Sequence, residues 1–437
     1  MDTYLSKLTK NNKNLYFIFL LIYTTIFIYF DPPFGLMDDF KNLEHIYNLN
    51  QNFFQYYIEY NNERTFEKGL FQPFYLLQMY FQYVISIPLF VYIQNLIIVL
   101  LSHYLFLKGL NNFISVNYSL ALLIFLSYPF TNDLLVHPSL QEKYSFLLVG
   151  FSLTHIKKSN LNSFIFFLIA LVVPLIKLQG TIFLFLYVAI HLKIKNKNSL
   201  FALLGISTGI LIQGYVTFFI DAEYKIRSNL DNIISNLSNP INLLFLLAGV
   251  SYLLLNFIKN KKAFIEFSLV VCSFSLVFIY INFYILGYLL STYSYFISIF
   301  LATLISYFVK NLNLIFNSKV FMLLIVLCIS NILFLYPRLE RWSDLGEIYN
   351  TLETDTYGDI YYCSEEATIY LNKRIKPENE LIYLDSDSKL NKIGNYLMIT
   401  DKFQCENFGV NLQPNCINQI IFEPKYSKIV IQERQCS

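Results

Sequence analysis

Residues 163–192 read SFIFFLIALVVPLI, then KLQG, then TIFLFLYVAIHL: two apolar runs parted by Lys177-Leu178-Gln179-Gly180. Neither run alternates polar with apolar, so neither reads as a half-buried strand. A helix of about 20 apolar residues crosses the hydrocarbon of a bilayer. The backbone there must satisfy its own hydrogen bonds, which leaves helices or closed barrels. Continuous runs choose helices. The short polar break makes the two runs an antiparallel pair, with Lys177 at its turn.

Runs of this kind recur from Leu15 to Tyr336 and then stop. The expected spans are 15–30, 87–107, 116–132, 142–156, 163–176, 178–192, 199–220, 241–258, 264–282, 289–309 and 319–336, about eleven in all. Composition agrees, with 55% hydrophobic and 14% charged residues. Soluble domains carry nearer about a quarter charged. A net charge of +2, with no basic patch interleaved with aromatics, gives no sign of a nucleic-acid partner. The first span runs into Asp31-Pro32-Pro33 without a small-residue cleavage site, so it reads as a retained signal anchor.

Lysines set the orientation. With the N-terminus in the cytoplasm, the cytoplasmic segments are short and hold Lys7, Lys10, Lys13, Lys108, Lys157, Lys158, Lys193, Lys195, Lys197, Lys259, Lys261, Lys262, Lys310 and Lys319, with few acids. That is the positive-inside pattern of a multi-pass protein, expected in a bacterial inner membrane. Residues 1–336 then form the membrane domain, with a long first outer loop at about 31–86, and 337–437 form a domain outside. All six arginines, Arg64, Arg227, Arg338, Arg341, Arg374 and Arg434, fall on the outer side. A guanidinium grips phosphate with a planar fork, so an outward anionic ligand fits, as does chance in so small a set.

The tail reads as α/β: strands at 359–363, 380–385, 396–400 and 429–432, and a helix at 365–375. Cys363, Cys405, Cys416 and Cys436 all lie in it. An even number in an outer domain predicts two disulfides, with three pairings open. Cys272 and Cys328 lie in apolar spans and read as packing residues. No HExxH, GxSxG or glycine-rich phosphate loop is present.

Chemistry-bearing residues gather at the outer face. The first outer loop opens Gly35-Leu36-Met37-Asp38-Asp39-Phe40, and Phe40, Leu43, Ile46 and Tyr47 have helical spacing. Asp38 and Asp39 therefore stand at a helix start, where Asp38 serves equally as an N-cap. Residues 71–85, broken by Pro73, read as an amphipathic helix lying on the membrane surface. The second outer loop, 132–143, brings His137 and Glu142 to the mouth of two helices. Lys177, with Gln179 beside it, is an ionisable group against hydrocarbon, a functional candidate or a snorkelling lysine. Asp221, Tyr224 and Arg227 close the next outer loop and face the same side.

This layout resembles the GT-C superfamily of membrane glycosyltransferases, which includes protein mannosyltransferases, aminoarabinose transferases and oligosaccharyltransferases. The resemblance lies in one retained helix, a long outer loop opening with Asp38-Asp39, surface helices, a helix pair split by Lys177, and a soluble α/β domain. It covers nearly the whole chain. It implies transfer of a sugar from a polyprenyl phosphate or diphosphate, reached through the membrane lipid, to a glycan, lipid or protein acceptor. Asp38 or Asp39 is then the base that takes the acceptor proton. Lys177, Arg227 and Arg64 hold the donor phosphate as charge develops on it. His137, Glu142, Gln179, Asp221 and Tyr224 line the acceptor side or cavity. A single base with direct displacement implies inversion. A divalent metal, Mg or Mn, is compatible with Asp38 but not required by it. Two alternatives stand beside this reading: an O-antigen-type polysaccharide polymerase, whose large loop usually comes late, and a non-enzymatic transporter or flippase, which tends to carry repeats and mid-membrane charges.

Overall fold

The computed structural model describes residues 12–31, 38–67, 71–85, 87–127, 131–158, 161–177, 180–181, 183–219, 299, 302–303, 306, 322–333, 335, 359–362, 380–383, 389–390, 394–401, 411–412, 416–422 and 429–436. Helices come first: α1 (Asn12–Phe30), α2 (Asp38–Gln51), α3 (Phe53–Asn62), a π-helical turn (Glu63–Glu67), α4 (Tyr75–Tyr83), α5 (Pro88–Leu110), α6 (Tyr118–Ser127), α7 (Thr131–Val136), α8 (Glu142–His155), α9 (Ser163–Ile176), α10 (Phe183–Ile194) and α11 (Lys197–Phe219). A further apolar helix, α12, spans Met322–Leu333. Among the described residues, two helices, Pro88–Leu110 and Lys197–Val216, are long and apolar enough to cross a membrane. The expected spans 241–258 and 264–282 lie outside the described residues, as does most of 289–309.

The chain divides into two compact units. One gathers Met1–Thr24, His45–Ile85 and Tyr92–Ile332; the other gathers Thr25–Glu44, Ser86–Val91 and Leu333–Ser437. The stretch of the second unit that holds the tail begins at Leu333, close to the expected boundary at 336/337.

In the first unit, α1 buries Tyr16, Phe19 and Tyr23 at helical spacing and leaves Phe17, Ile18, Leu21 and Ile22 exposed. A helix that is apolar on its exposed face as well as its buried one is suited to apolar surroundings. Tyr16 and His103 of α5 share a 2.7 Å hydrogen bond between Oη and Nδ1. Glycine sets the closest helix contact. A Cβ at Gly205 of α11 would lie 2.2 Å from the Phe167 carbonyl oxygen of α9, and one at Gly209 would lie 2.5 Å from Pro174. Gly205 and Gly209 are one turn apart, the small-xxx-small spacing that lets two backbones approach. Exposed apolar residues also line α12, among them Met322, Leu323, Val326 and Leu333. Its buried Asn331 accepts from Asn132 Nδ2 at 2.9 Å and donates to the Leu126 carbonyl at 2.6 Å.

The surface segment differs from its expected form. The helix expected over 71–85 is shorter, Tyr75–Tyr83, because Pro73 lacks an N–H and holds the chain back from helix until Tyr75. Another helix, α3, precedes it, capped by Asn52, whose side chain accepts from the Gln55 N–H. The second outer loop, 132–143, holds a short helix that was not expected, Thr131–Val136, while Glu142 and Lys143 open α8 as the expected span 142–156 has it.

The second unit holds a five-stranded sheet of order β2-β1-β4-β7-β6. Its strands are β1 (Asp359–Tyr362), β2 (Glu380–Tyr383), β4 (Gly394–Asp401), β6 (Cys416–Phe422) and β7 (Ile429–Cys436); β3 (Lys389–Leu390) and β5 (Asn411–Leu412) form a separate pair. β1 runs parallel to β2 and β4, while β7 is antiparallel to both β4 and β6. All four expected strands are present. Parallel neighbours need a crossover connection; the helix expected at 365–375 lies outside the described residues. β6 was not expected, because Asn418 and Gln419 interrupt its apolar pattern.

Candidate functional site

The first unit closes over a buried polar cluster where α4, α5, α8 and α9 meet. Asn95 of α5 is fully buried and donates from Nδ2 to the carbonyls of Leu134 (2.8 Å) and Leu135 (2.9 Å). These carbonyls belong to the last turn of α7, which has no intrahelical partner for them. The same amide accepts, through Oδ1, from Lys143 Nζ at 2.6 Å. Lys143 also donates to the Pro138 carbonyl, and none of its side chain reaches solvent.

Next to it, the carboxylate of Glu142 forms an ion pair with Lys177. Glu142 is fully buried, while Lys177 keeps 18% of its side chain exposed. The local fold favours this pair at both ends. Glu142 stands in the first turn of α8 and Lys177 at the C-cap of α9. A helix favours an anion at its N-terminus and a cation at its C-terminus. Lys143 runs against that rule, since it too stands in the first turn of α8, and it depends on the acceptors just named. Glu142 Oε2 and Gln141 Oε1 have no hydrogen-bond partner among the described residues. Tyr144 then donates to Gln82 Oε1 of α4 at 2.8 Å. Its ring packs with Ile98 and Ile176, against Phe74, Leu148 and Val172.

Arg64 sits at the other end of α4, on the π-helical turn. Its guanidinium carbon lies 4.7 Å from the centre of the Tyr75 ring and 5.6 Å from that of Tyr60. One of its terminal nitrogens donates to the Tyr60 hydroxyl at 2.6 Å. The Tyr60 and Tyr75 rings stack with 13° between their planes. His45 meets Tyr60 edge-on, at 4.8 Å between ring centres, and shares a 2.6 Å hydrogen bond with Tyr56. Burial pushes the Tyr60 phenol above its usual range, against the downward pull of the guanidinium. Among the described residues no carboxylate stands within ion-pair distance of Arg64, and its Nε has no hydrogen-bond partner. Tyr75 and Gln82 are seven residues apart on one helix, so the two sites are separated by about 10 Å along α4.

The expected site residues fare differently. Lys177 and Glu142, read as phosphate ligand and cavity residue, come together directly. Arg64 belongs to the same unit, and His137 lies half-buried in the turn between α7 and α8. Asp38 and Asp39 are the first two residues of α2, the helix start expected of them; they belong to the second unit, and their side chains lie outside the described set. Gln179, Asp221, Tyr224, Arg227, Cys363 and Cys405 lie outside the described residues. Sequence reasoning missed Asn95, Lys143 and Gln82 as members of the cluster. An amide inside the apolar run 87–107 was the available signal for Asn95, since such groups usually bond across helices. Among the described residues no three His, Cys, Asp or Glu side chains could share a metal ion.

Comparison with protein-family models, with curated proteins and with solved structures yields no match.

Proposed function

We propose that this chain is an integral membrane glycosyltransferase of the GT-C kind. It transfers a sugar from a polyprenyl-phosphate or diphosphate carrier to an acceptor on the outer side of the membrane. In this reading about eleven helices span the bilayer, the N-terminus is cytoplasmic, and the sheet domain lies outside. The observation that carries the reading is the cluster of Glu142, Lys143, Asn95 and Gln82, all four buried, with the partly exposed Lys177 paired to Glu142. Ionisable groups buried among apolar helices are functional by default, because burying them is costly. Two further features support it. Arg64 offers a cation with no carboxylate partner among the described residues, on a segment rich in exposed apolar side chains such as Phe54, Ile58, Phe66 and Phe81. An apolar groove between α1 and α5, lined by Phe17, Leu20, Ile97, Leu100 and Leu101, suits an alkyl chain.

The chemistry is a direct displacement. The acceptor hydroxyl attacks the anomeric carbon, the bond from that carbon to the phosphate oxygen breaks, and the polyprenyl phosphate leaves with the electron pair. Asp38 or Asp39 takes the hydroxyl proton. Arg64, Lys177 and Arg227 stabilise the charge that grows on the phosphate. Glu142, with one oxygen on Lys177 and the other unpartnered, orients Lys177 and can accept from an acceptor hydroxyl. Configuration inverts at the anomeric carbon.

The test is transfer from a synthetic polyprenyl-phosphate sugar by the purified protein. Asp38→Asn or Asp39→Asn should lower the rate by about 10²–10⁴-fold with normal insertion. Wild-type rates from both variants would end the catalytic assignment. Reporter fusions after Lys158 and Lys262 should read as cytoplasmic, and fusions after Tyr224 and Ser437 as outside. A transporter is the second reading, favoured by the fully buried Lys143. Vesicle uptake of a solute without any transferase activity would choose it.

A further inference from the structure

Four cysteines in the tail leave three pairings open, and the register of the sheet distinguishes them. β6 begins at Cys416 and β7 ends at Cys436. The two strands are antiparallel, and Cys416 and Cys436 are direct partners across the ladder. The assignment is tied down from the other side of β7 as well. An unbroken run of pairs joins β4 to β7 from Asp401↔Ile429 to Gly394↔Cys436, so Cys436 is fixed against two strands at once. The only irregularity in the β6–β7 ladder lies between Ile420 and Phe422, at the far end from the cysteines.

Directly opposed residues of an antiparallel pair share one face, with Cα atoms about 4.5 or about 5.5 Å apart according to the class of pair. A disulfide needs Cα atoms about 4.4–6.8 Å apart, so either class admits one. On the β4 flank, the residue opposite Cys436 is Gly394. Glycine has no side chain, so in the row Gly394–Cys436–Cys416 the register sets no side chain beside Cys436 on the β4 flank and sets Cys416 beside it on the other.

We propose that Cys416 and Cys436 form a cross-strand disulfide that ties the edge strand β6 to β7 at the end of the hairpin opposite its turn. The inference rests on the outward placement of the tail and on nothing about sugar transfer. Of the three pairings, only one keeps these two together, and it leaves Cys363 for Cys405. In sequence those two follow β1 and β4, which are parallel neighbours in the sheet. The reaction is thiol–disulfide exchange. The thiolate of one cysteine attacks a protein disulfide of the extracytoplasmic oxidising system, giving a mixed disulfide; the second thiolate displaces it. Two protons and two electrons leave the pair, and the oxidant departs as a dithiol. An edge strand is otherwise free to fray or to pair with another chain. The bond closes β6 onto its partner where no turn does so.

The experiment is peptide mapping of the full-length protein, alkylated in membranes before any reductant is added. Trypsin alone leaves Cys405 and Cys416 on one peptide, 403–425, so a glutamate-specific protease is added to cut after Glu406. The expected species is peptide 407–425 joined to peptide 435–437, two hydrogens lighter than the sum and separated by reductant. Cys416→Ser should free one thiol at Cys436 and Cys436→Ser one at Cys416, while Cys363→Ser and Cys405→Ser leave the joined species intact. Alkylated 407–425 in the wild type, or its joining to the peptide of Cys363 or Cys405, overturns the proposal. A fusion reporter at Ser437 separates the causes. Free thiols with an outside reporter mean that the pairing is wrong; free thiols with a cytoplasmic reporter mean that the placement of the tail, and the proposal with it, is wrong. Loss of transferase activity bears on neither.

Discussion

Lys177 and Arg64 were read from sequence as parts of one phosphate clamp, and the fold treats them in opposite ways. Lys177 is matched by a fully buried carboxylate, Glu142, at facing ends of α8 and α9. Arg64 has no such match among the described residues and rests on the Tyr75 ring with a phenol as its hydrogen-bond acceptor. The chemistry of the two cations explains the difference. An ammonium is compact and strongly hydrated, so it leaves water only for an anion or several acceptors. A guanidinium is planar and more weakly hydrated, so it can lie on an aromatic face and still present donors. One site is therefore internally neutralised, and the other retains a charge able to meet an incoming anion. Lys177 helps to hold the facing ends of α8 and α9 together; under the proposed function, Arg64 is the cation placed to take the first contact with phosphate.

The sharpest way to break this contrast is to remove the carboxylate. Glu142→Gln leaves Lys177 at a largely buried site without its counter-ion, and losing one partner of a buried pair costs about 3–5 kcal/mol. Thermal unfolding in detergent should show that loss, while Arg64→Gln, which removes one hydrogen bond and the cation–π contacts, should cost about 1–2 kcal/mol. Similar losses from the two variants would erase the distinction. Next in size is Gly205→Leu, which drives a side chain into the backbone of α9, the helix that carries Lys177 at its end. Overpacking of this kind costs about 1–3 kcal/mol. Gly214→Leu is the control on the same helix, because nothing lies within 4 Å of its Cβ position; it should unfold as the wild type does.

Two smaller effects sharpen the other half. Arg64→Lys keeps the charge but loses the plane that stacks on Tyr75. Carrier-phosphate affinity, measured by titration of a polyprenyl phosphate, should fall by about tenfold, or about 1.4 kcal/mol, with stability little changed. An unchanged affinity would remove Arg64 from the phosphate site. Tyr60→Phe deletes one hydrogen bond to the guanidinium and should cost about 0.5–1.5 kcal/mol in stability. Binding should drop less than for Arg64→Lys, because the ring that carries most of the cation–π contact belongs to Tyr75.

The apolar runs determined by themselves where most helices lie. Spans expected at 163–176 and 142–156 match α9 and α8 within a residue at each end, because an unbroken apolar stretch ended by polar residues has few other ways to fold. The helix start at Asp38 was equally legible, as were four strands of the tail. Positions whose role depends on a distant partner were not. Nothing in the sequence near Lys143 says that Asn95, 48 residues earlier, accepts from it, or that Gln82 meets Tyr144 across 62 residues. Lys177 could be flagged as an ionisable group against hydrocarbon, but its charge partner came from another helix. The four cysteines could be counted, but only the strand register brought Cys416 opposite Cys436. Local pattern encodes what each segment buries. Which polar groups share that burial is decided only when helices and strands pack, since a hydrogen bond or ion pair depends on separations of a few ångströms that no spacing along the chain specifies.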